Sequence, residues 1–295
     1  MKKSISLMLA AMLVFSLCAC ANDGGTTPAE PSNTPAPTQD LSVYEKSEGK
    51  LEKEIRYNTN GLKFNTVIYE YDGSGAIVKE TTLGINDAPV GYKEYTLNSD
   101  GLAETMVSYV ADGPEEYTEE YRVLYEYNES GLKMKESNVI GGSITAYTVY
   151  AYEGKSLVSE KYFECLANEE AFESVKLISD IAYEFDDAGK LTKLTRQDML
   201  EDSETVETYS YDDKGRLIQK QSAADGNLIS RTEYSYDEHG NELSVSIYGP
   251  DGNSISVTKN EYEYDEPGNV IKCTRSHGDG EQDTVIEYVW SYVKG

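Results

Sequence analysis

The chain has 295 residues, with 53 Asp and Glu against 26 Lys and Arg, for a net charge of -27. That balance argues against nucleic acid as a partner and, unless divalent cations intervene, against anionic lipid surfaces and anionic wall polymers. Twenty-five Tyr against five Phe and one Trp suit pleated, half-wet surfaces, where a ring is buried and its hydroxyl still reaches water.

In chain order, the first element is MKKSISLMLAAMLVFSLCAC. A basic start, an apolar run too short for a stable transmembrane helix and small residues near the end are the pattern of an export signal. The tail resembles the bacterial lipobox, with Leu17 three places before the modified cysteine, Ala19 directly before it and Cys20 as the acylated residue. Residues 1–19 are therefore expected to be a lipoprotein signal peptide, leaving a mature charge of 24 - 53 = -29. The resemblance implies a diacylglyceryl group on Cys20, whose buried chains contribute about 0.8 kcal/mol per CH2 to membrane attachment, with the protein facing outward from the cell membrane. An ordinary cleaved signal with incidental cysteines is the alternative. Residues 20–42, rich in Pro, Thr, Ser and Gly, read as a disordered tether.

Residues 43–295 repeat to their end. Aligning on the second aromatic of a Tyr-x-Tyr pair places anchors at Tyr71, Leu97, Tyr127, Tyr152, Phe185, Tyr211, Tyr236 and Tyr264, with a divergent start near Tyr57 and a truncated finish at Trp290 and Tyr292. In seven of these units Asp or Asn follows the anchor and Gly stands four residues after it, as in Asp212 and Gly215; Tyr152 has a shortened turn with Glu153 and Gly154. Asp or Asn bonds the backbone two residues on and Gly accepts positive φ, so the string encodes a tight hairpin turn. Tyrosines two apart share one strand face. Each unit thus reads as strand, tight turn, strand and looser turn.

Two local exceptions are expected. Pro267 should shift its hairpin to a type II turn over residues 266–269, and CLANEEAFES around 165–174 could hold a short helical turn. About nine hairpins give a sheet of roughly 18 strands, and open twisted sheets rarely pass about ten without curling. The expected fold is all-β: a repetitive antiparallel hairpin meander forming one long curling or spiral sheet. Cys165 and Cys273 would then stand roughly 38 Å apart, beyond the reach of a disulfide unless the sheet coils back on itself, which favours two free thiols.

The units YSYDDKGRL, YSYDEHGNEL, YEYDEPGNV, YEYDGSGAI and YEFDDAGKL resemble the YD repeat of the RHS-like family, and the resemblance covers about residues 55 to 292. It implies hairpins wound into a spiral sheet, with carbohydrate binding in some members and a hollow shell around a toxin in the longest. This chain has fewer and longer units, and nothing after Tyr292 looks like an autoproteolytic core or a toxic domain, so a closed container is not expected.

Catalysis has little to stand on. The two histidines, His239 and His277, sit beside glycine in expected turns, and no Ser or Cys stands in a nucleophile motif. Carboxylates in the turns, such as Asp212, Asp213, Asp237 and Glu238, could suit Ca2+, yet no loop matches an EF-hand and each turn Asp already has a backbone role. No catalytic, cofactor-binding or metal residue is assigned, and no cofactor is expected. The binding candidates are Tyr209, Tyr211, Tyr234, Tyr236, Tyr262, Tyr264, Tyr288 and Trp290, whose rings could stack on sugars or simply pack across strands. The expected function is a cell-surface lipoprotein, not an enzyme, that binds carbohydrate or envelope polymer. The alternatives are a structural or adhesive scaffold for a surface protein, a fragment of an RHS-type toxin-delivery system and, weakest, a hydrolase with acidic residues.

Overall fold

The computed structural model describes residues 49–168, 171–278, 280 and 282–292, so the segments expected to be a signal peptide and a tether, with Cys20, lie outside the described residues. Eighteen strands follow one another: β1 (Gly49–Tyr57), β2 (Lys63–Tyr71), β3 (Ile77–Leu83), β4 (Pro89–Leu97), β5 (Ala103–Ala111), β6 (Tyr117–Tyr127), β7 (Lys133–Ile140), β8 (Ser143–Glu153), β9 (Ser156–Asn168), β10 (Ala171–Phe185), β11 (Leu191–Asp198), β12 (Ser203–Tyr211), β13 (Leu217–Ala224), β14 (Asn227–Tyr236), β15 (Glu242–Tyr248), β16 (Ser254–Tyr264), β17 (Val270–His277) and β18 (Gln282–Tyr292). A single 3-10 turn, Ile85–Asp87, interrupts the pattern among the described residues.

Each strand pairs antiparallel with the next, and β18 pairs back onto β1, with Gly49 opposite Tyr292 and Arg56 opposite Ile286. The all-β meander is as the repeats predict, but the sheet is a closed barrel and not an open curl or spiral. The cause lies in the hairpins. At every anchor the ladder skips one residue: Ser210 faces Gln219 while Tyr211 faces Leu217, and the same bulge recurs at Tyr71, Leu97, Tyr127, Tyr152, Phe185, Tyr236 and Tyr264. A bulge bends its strand and adds twist, and one in every unit bends the sheet until its edges meet. Closure also removes the two open edges that a long meander would expose.

The turn chemistry follows the sequence. In the hairpin at Asp212, Oδ1 accepts the backbone N–H groups of Lys214 and Arg216 at 2.9 and 2.8 Å, while Gly215 takes φ +83 and donates to the Asp212 carbonyl. Asn58, Asp72, Asn98, Asn128 and Asp186 repeat this arrangement. Two local expectations are corrected. The Pro267 hairpin closes like its siblings, with Gly268 donating to Asp265 and φ +92 at Gly268; Pro267 brings no N–H to the turn, so the Asx bond to Asn269 at 2.7 Å remains. Residues 165–168 and 171–174 are strand, not a helical turn, because β9 and β10 extend their ladder out to Ala171 opposite Asn168.

Because strands alternate in direction, turns collect at two rims. The hairpins after β2, β4, β6, β8, β10, β12, β14 and β16, all but one of Asp/Asn-x-x-Gly type, form one rim, where β1 also begins. The remaining turns form the far rim. Eighteen strands at about 4.8 Å give a circumference of roughly 86 Å before tilt, which leaves a lumen instead of a core filled by side chains. The Tyr-x-Tyr rows lie on the concave face: apart from Thr66, Ser137 and Val139, the buried side chains point there, because side chains converge on an inner wall and splay on an outer one. The densest part is Ile181, Leu191, Leu194, Tyr209 and Leu217, flanked by Tyr183, Phe185, Tyr211 and Tyr234.

The outer face carries directly opposed ion pairs, Lys79 with Glu94, Lys193 with Glu184 and Lys272 with Glu263, at 3.2, 2.8 and 2.6 Å. With charges on the outer face and Glu80, Glu160, Glu207 and Lys220 on the inner one, neither face offers the unbroken apolar band that lipid requires. Among the described residues no helix is long and apolar enough to cross a membrane. Cys165 and Cys273 are free.

Candidate functional site

All eight aromatic candidates lie on the inner wall; six hydrogen-bond through the side chain, and Tyr234 and Tyr288 are half-buried. In several units the second aromatic of the pair reaches to the strand before it: Tyr211 Oη donates to the Leu191 carbonyl at 2.8 Å, Tyr236 to Leu217 at 2.7 Å, and Trp290 Nε1 to Val270 at 2.9 Å. Tyr71, Tyr127 and Tyr152 make the same bond to Leu51, Ala103 and Lys133. The acceptor sits at or beside the start of the preceding strand, so each ring staples one unit to the one before it.

The first tyrosine of the pair meets a carboxylate or the next ring. Tyr209, only 7% exposed, donates to Glu207 at 2.6 Å, and Lys220 Nζ stands 3.1 Å from the other Glu207 oxygen. Tyr69, Tyr95, Tyr150 and Tyr183 donate to Glu54, Glu80, Glu136 and Glu160. Burial, then the Glu207 hydrogen bond, push the Tyr209 phenol far above its ordinary range. Burial also raises Tyr234 and Tyr288 to about 12, with Glu242 adding to the first and Cys273 to the second. Tyr262 donates to the Glu242 carbonyl at 2.9 Å. Tyr264 donates to Asp237, accepts from Asn241 at 2.7 Å, and packs its ring 4.4 Å from that of His239.

Cations cover several ring faces as well. Arg216 lies 5.0 Å from the Tyr236 centroid, Lys190 5.5 Å from Tyr211, and Lys133 4.7 Å from Tyr150. Burial raises the Glu160 and Glu242 carboxyls above the usual range, against Tyr183, Lys133 and Arg196 for the first and Arg275 for the second. The two histidines are not brought together: His239 stands at the Asp-x-x-Gly rim and His277 ends β17 at the far rim. Among the described residues no three His, Cys, Asp or Glu side chains could jointly hold a metal ion.

The open aromatic surface is elsewhere, at positions the repeat alignment does not mark. On the outer face Tyr92 stacks on Tyr109 at 4.6 Å and meets Tyr117 edge-on at 4.9 Å, with Lys79 Nζ 4.1 Å above the Tyr92 ring. Gly91 makes the close strand approach there possible, since a Cβ would sit 2.2 Å from the Tyr109 carbonyl oxygen. Beside this platform an outer groove is lined by Glu119, Arg122, Leu124, Val139, Gly142 and Ile144. The available signal is parity: Tyr92 stands three residues before Tyr95, and an odd interval along a strand turns a side chain to the opposite face.

No curated protein matches the chain. Among solved structures, a TcdB2-TccC3-Cdc42 crystal structure is 15% identical over 79% of this chain and 16% of its own, with a TM-score of 0.35, so this chain spans about a sixth of it. A porin-like protein from Bacteroides uniformis is 12% identical over 82% of this chain and 96% of its own, with a TM-score of 0.44, and one from Bacteroides vulgatus is 14% identical over 82% and 99%, with a TM-score of 0.34. The family model described as RHS Repeat matches residues 211–254, from the last residue of β12 to the first of β16, so this stretch of the barrel is similar to an RHS repeat.

Proposed function

We propose that the chain is an exported envelope protein, lipid-anchored at Cys20, whose barrel is a non-catalytic scaffold that binds a protein partner through its outward surfaces. The observation that supports this best is where the inner polar groups are spent. Tyr hydroxyls bond backbone carbonyls and carboxylates, and Glu207 is shared between Tyr209 and Lys220. Groups committed to holding the wall are poor candidates for turnover, which needs reactive groups converging on a substrate. Crosslinking on intact cells should recover a protein partner. Recovery of none, together with glycan binding by the wild-type chain, would overturn the reading. The anchor has its own test: Cys20→Ala should release the protein into the medium, and continued membrane retention would refute the lipid.

A second reading, carbohydrate or envelope-polymer binding without turnover, is favoured by the Tyr92, Tyr109 and Tyr117 platform, whose rings can take the apolar faces of sugars beside the polar Glu119 and Arg122. Glycan-array binding lost on Tyr92→Ala with Tyr109→Ala would rank it first. Loss on Tyr209→Ala with Tyr234→Ala in a still-folded barrel would place the sugar in the lumen.

A further inference from the structure

At the far rim three consecutive turns, over residues 199–202, 225–226 and 249–253, hold out an arc of aliphatic side chains. Leu200 is 55% exposed and Ile255 66%; Met199 stands beside Leu200, and Leu228 and Ile229 lie between the two in the chain, all exposed. Glu201, Asp202, Asp225 and Asp251 are interspersed, and the three turns contain no Lys or Arg. At the opposite rim the exposed large apolar side chains beside the turns are Ile218 and Leu243, and Lys155, Lys190, Lys214 and Arg216 mix with the carboxylates.

Successive far-rim turns are two strands apart, about 10 Å. Seven residues of α-helix rise about 10.5 Å. A helix laid along the arc would therefore bring an apolar residue to each turn once every seven positions, with the positions between facing carboxylates. We propose that this arc docks a basic amphipathic helix of a partner protein. Leu or similar residues at seven-residue intervals seat on Leu200, Leu228 and Ile255, and Lys or Arg beside them meet Glu201, Asp202, Asp225 and Asp251. A second copy of this chain would bring the same carboxylates and be repelled, and so would an anionic bilayer. The proposal rests on the scaffold reading and gives it a partner class and a face.

The test is fluorescence anisotropy of the full chain with a labelled Leu/Lys peptide of about 18 residues, long enough for three anchors at seven-residue spacing. Binding should fall at least about tenfold, the equivalent of roughly 1.4 kcal/mol, in Leu200→Ser/Leu228→Ser/Ile255→Ser, and by a smaller factor in Glu201→Gln/Asp202→Asn. It should be unchanged in Ile218→Ser/Leu243→Ser at the other rim. A Lys/Ser peptide of equal charge that binds as well as the Leu/Lys peptide would overturn the proposal, because charge alone would then suffice. So would unchanged binding in the triple variant, or binding of phosphatidylcholine vesicles that the triple variant abolishes. These failures leave the scaffold reading standing if crosslinking on cells still recovers a protein; the scaffold reading itself fails only when no protein is recovered and glycan is bound.

Discussion

The two rims of the barrel are built from the same hairpin logic and end in opposite conditions. At the Asp-x-x-Gly rim, neighbouring turns are laced together: Arg216 donates to the Asp237 carbonyl at 3.1 Å, Tyr264 bonds Asp237 from the next hairpin, and the Tyr staples land on strand starts just inside. At the far rim Asp225 and Glu204 exchange bonds at 2.9 and 3.1 Å between neighbouring hairpins, but aliphatic side chains project into water. Repetition explains the first rim, since a bond that works in one unit recurs in others, as at Tyr71, Tyr127, Tyr152, Tyr211 and Tyr236. It does not explain the second, where turn length varies and apolar exposure is kept at a solvation cost.

Substitutions should break this contrast in order of how much packing they remove. The largest expected effect is Tyr211→Ala, which deletes a ring packed against the Leu191, Leu194 and Leu217 cluster together with the staple to Leu191. A loss of about 3 kcal/mol is expected in urea unfolding. Leu228→Ser at the far rim should cost no more than about 0.5 kcal/mol. Equal losses would mean that the far rim is structural too.

Next comes Asp212→Ala, which strands the Lys214 and Arg216 amides and breaks the 2.7 Å pair with the Arg216 side chain. The turn is solvent-accessible, so about 1 to 2 kcal/mol is expected. A shift this size at one turn with no change in the denaturant slope would show that the barrel unfolds as a unit; a shallower slope would show that the laced rim opens first.

Acid should act in two opposite steps. Burial opposes ionisation of Asp212, but the backbone and side-chain bonds from Arg216 outweigh it and hold its carboxyl below the usual 3.8; Asp72 is lowered by Ser74 and Ala76. Stability from these turns is present at neutral pH and is lost as pH falls through their lowered values. Glu160 and Glu242 are raised by burial above 4.5, so their contribution is present at low pH and is lost as pH rises through those raised values. Stability should therefore peak on the acid side of neutral, between the two sets. Glu242→Gln should raise the melting temperature at pH 7 and lose that advantage near pH 4. No gain at pH 7 would show that Arg275 already offsets the buried charge.

The hairpin, its turn residues and the number of strands were legible in the repeats because each is a local demand: positive φ at Gly215, an acceptor at Asp212, two rings on one face. Closure was not, because it sums eight small bends, and each bulge is one skipped residue, such as Ile218 between Leu217 and Gln219, that leaves no distinctive side chain. Cys20, where the sequence leads one to expect an acyl group, lies outside the described residues. The tyrosines were placed on the right strands, but whether a ring binds or staples depends on what its hydroxyl meets across the ladder. Tyr211 meets a carbonyl; Tyr92 meets other rings on the opposite wall face. The apolar arc at the far rim falls in the loosest parts of the repeat, where no alignment column draws attention to Leu200 or Ile255.

The smallest effect separates the outer wall from both rims. Glu stands one residue before the anchor and Lys eight after it in four units: Glu70 and Lys79, Glu126 and Lys135, Glu184 and Lys193, Glu263 and Lys272. Within the last three, the pair closes directly across the hairpin at 3.4, 2.8 and 2.6 Å, whereas Lys79 turns to Glu94 at 3.2 Å. Such pairs are exposed and worth about 0.2 to 1 kcal/mol each in low salt. A double-mutant cycle on Glu184 and Lys193 should give a coupling near the lower end of that range, falling toward zero in about 0.5 M salt as the Debye length drops to a few Å. A coupling that persisted in salt would mean that the pair is shielded on the assembled surface, which would make the outer wall, and not the far rim, the better place to seek the partner.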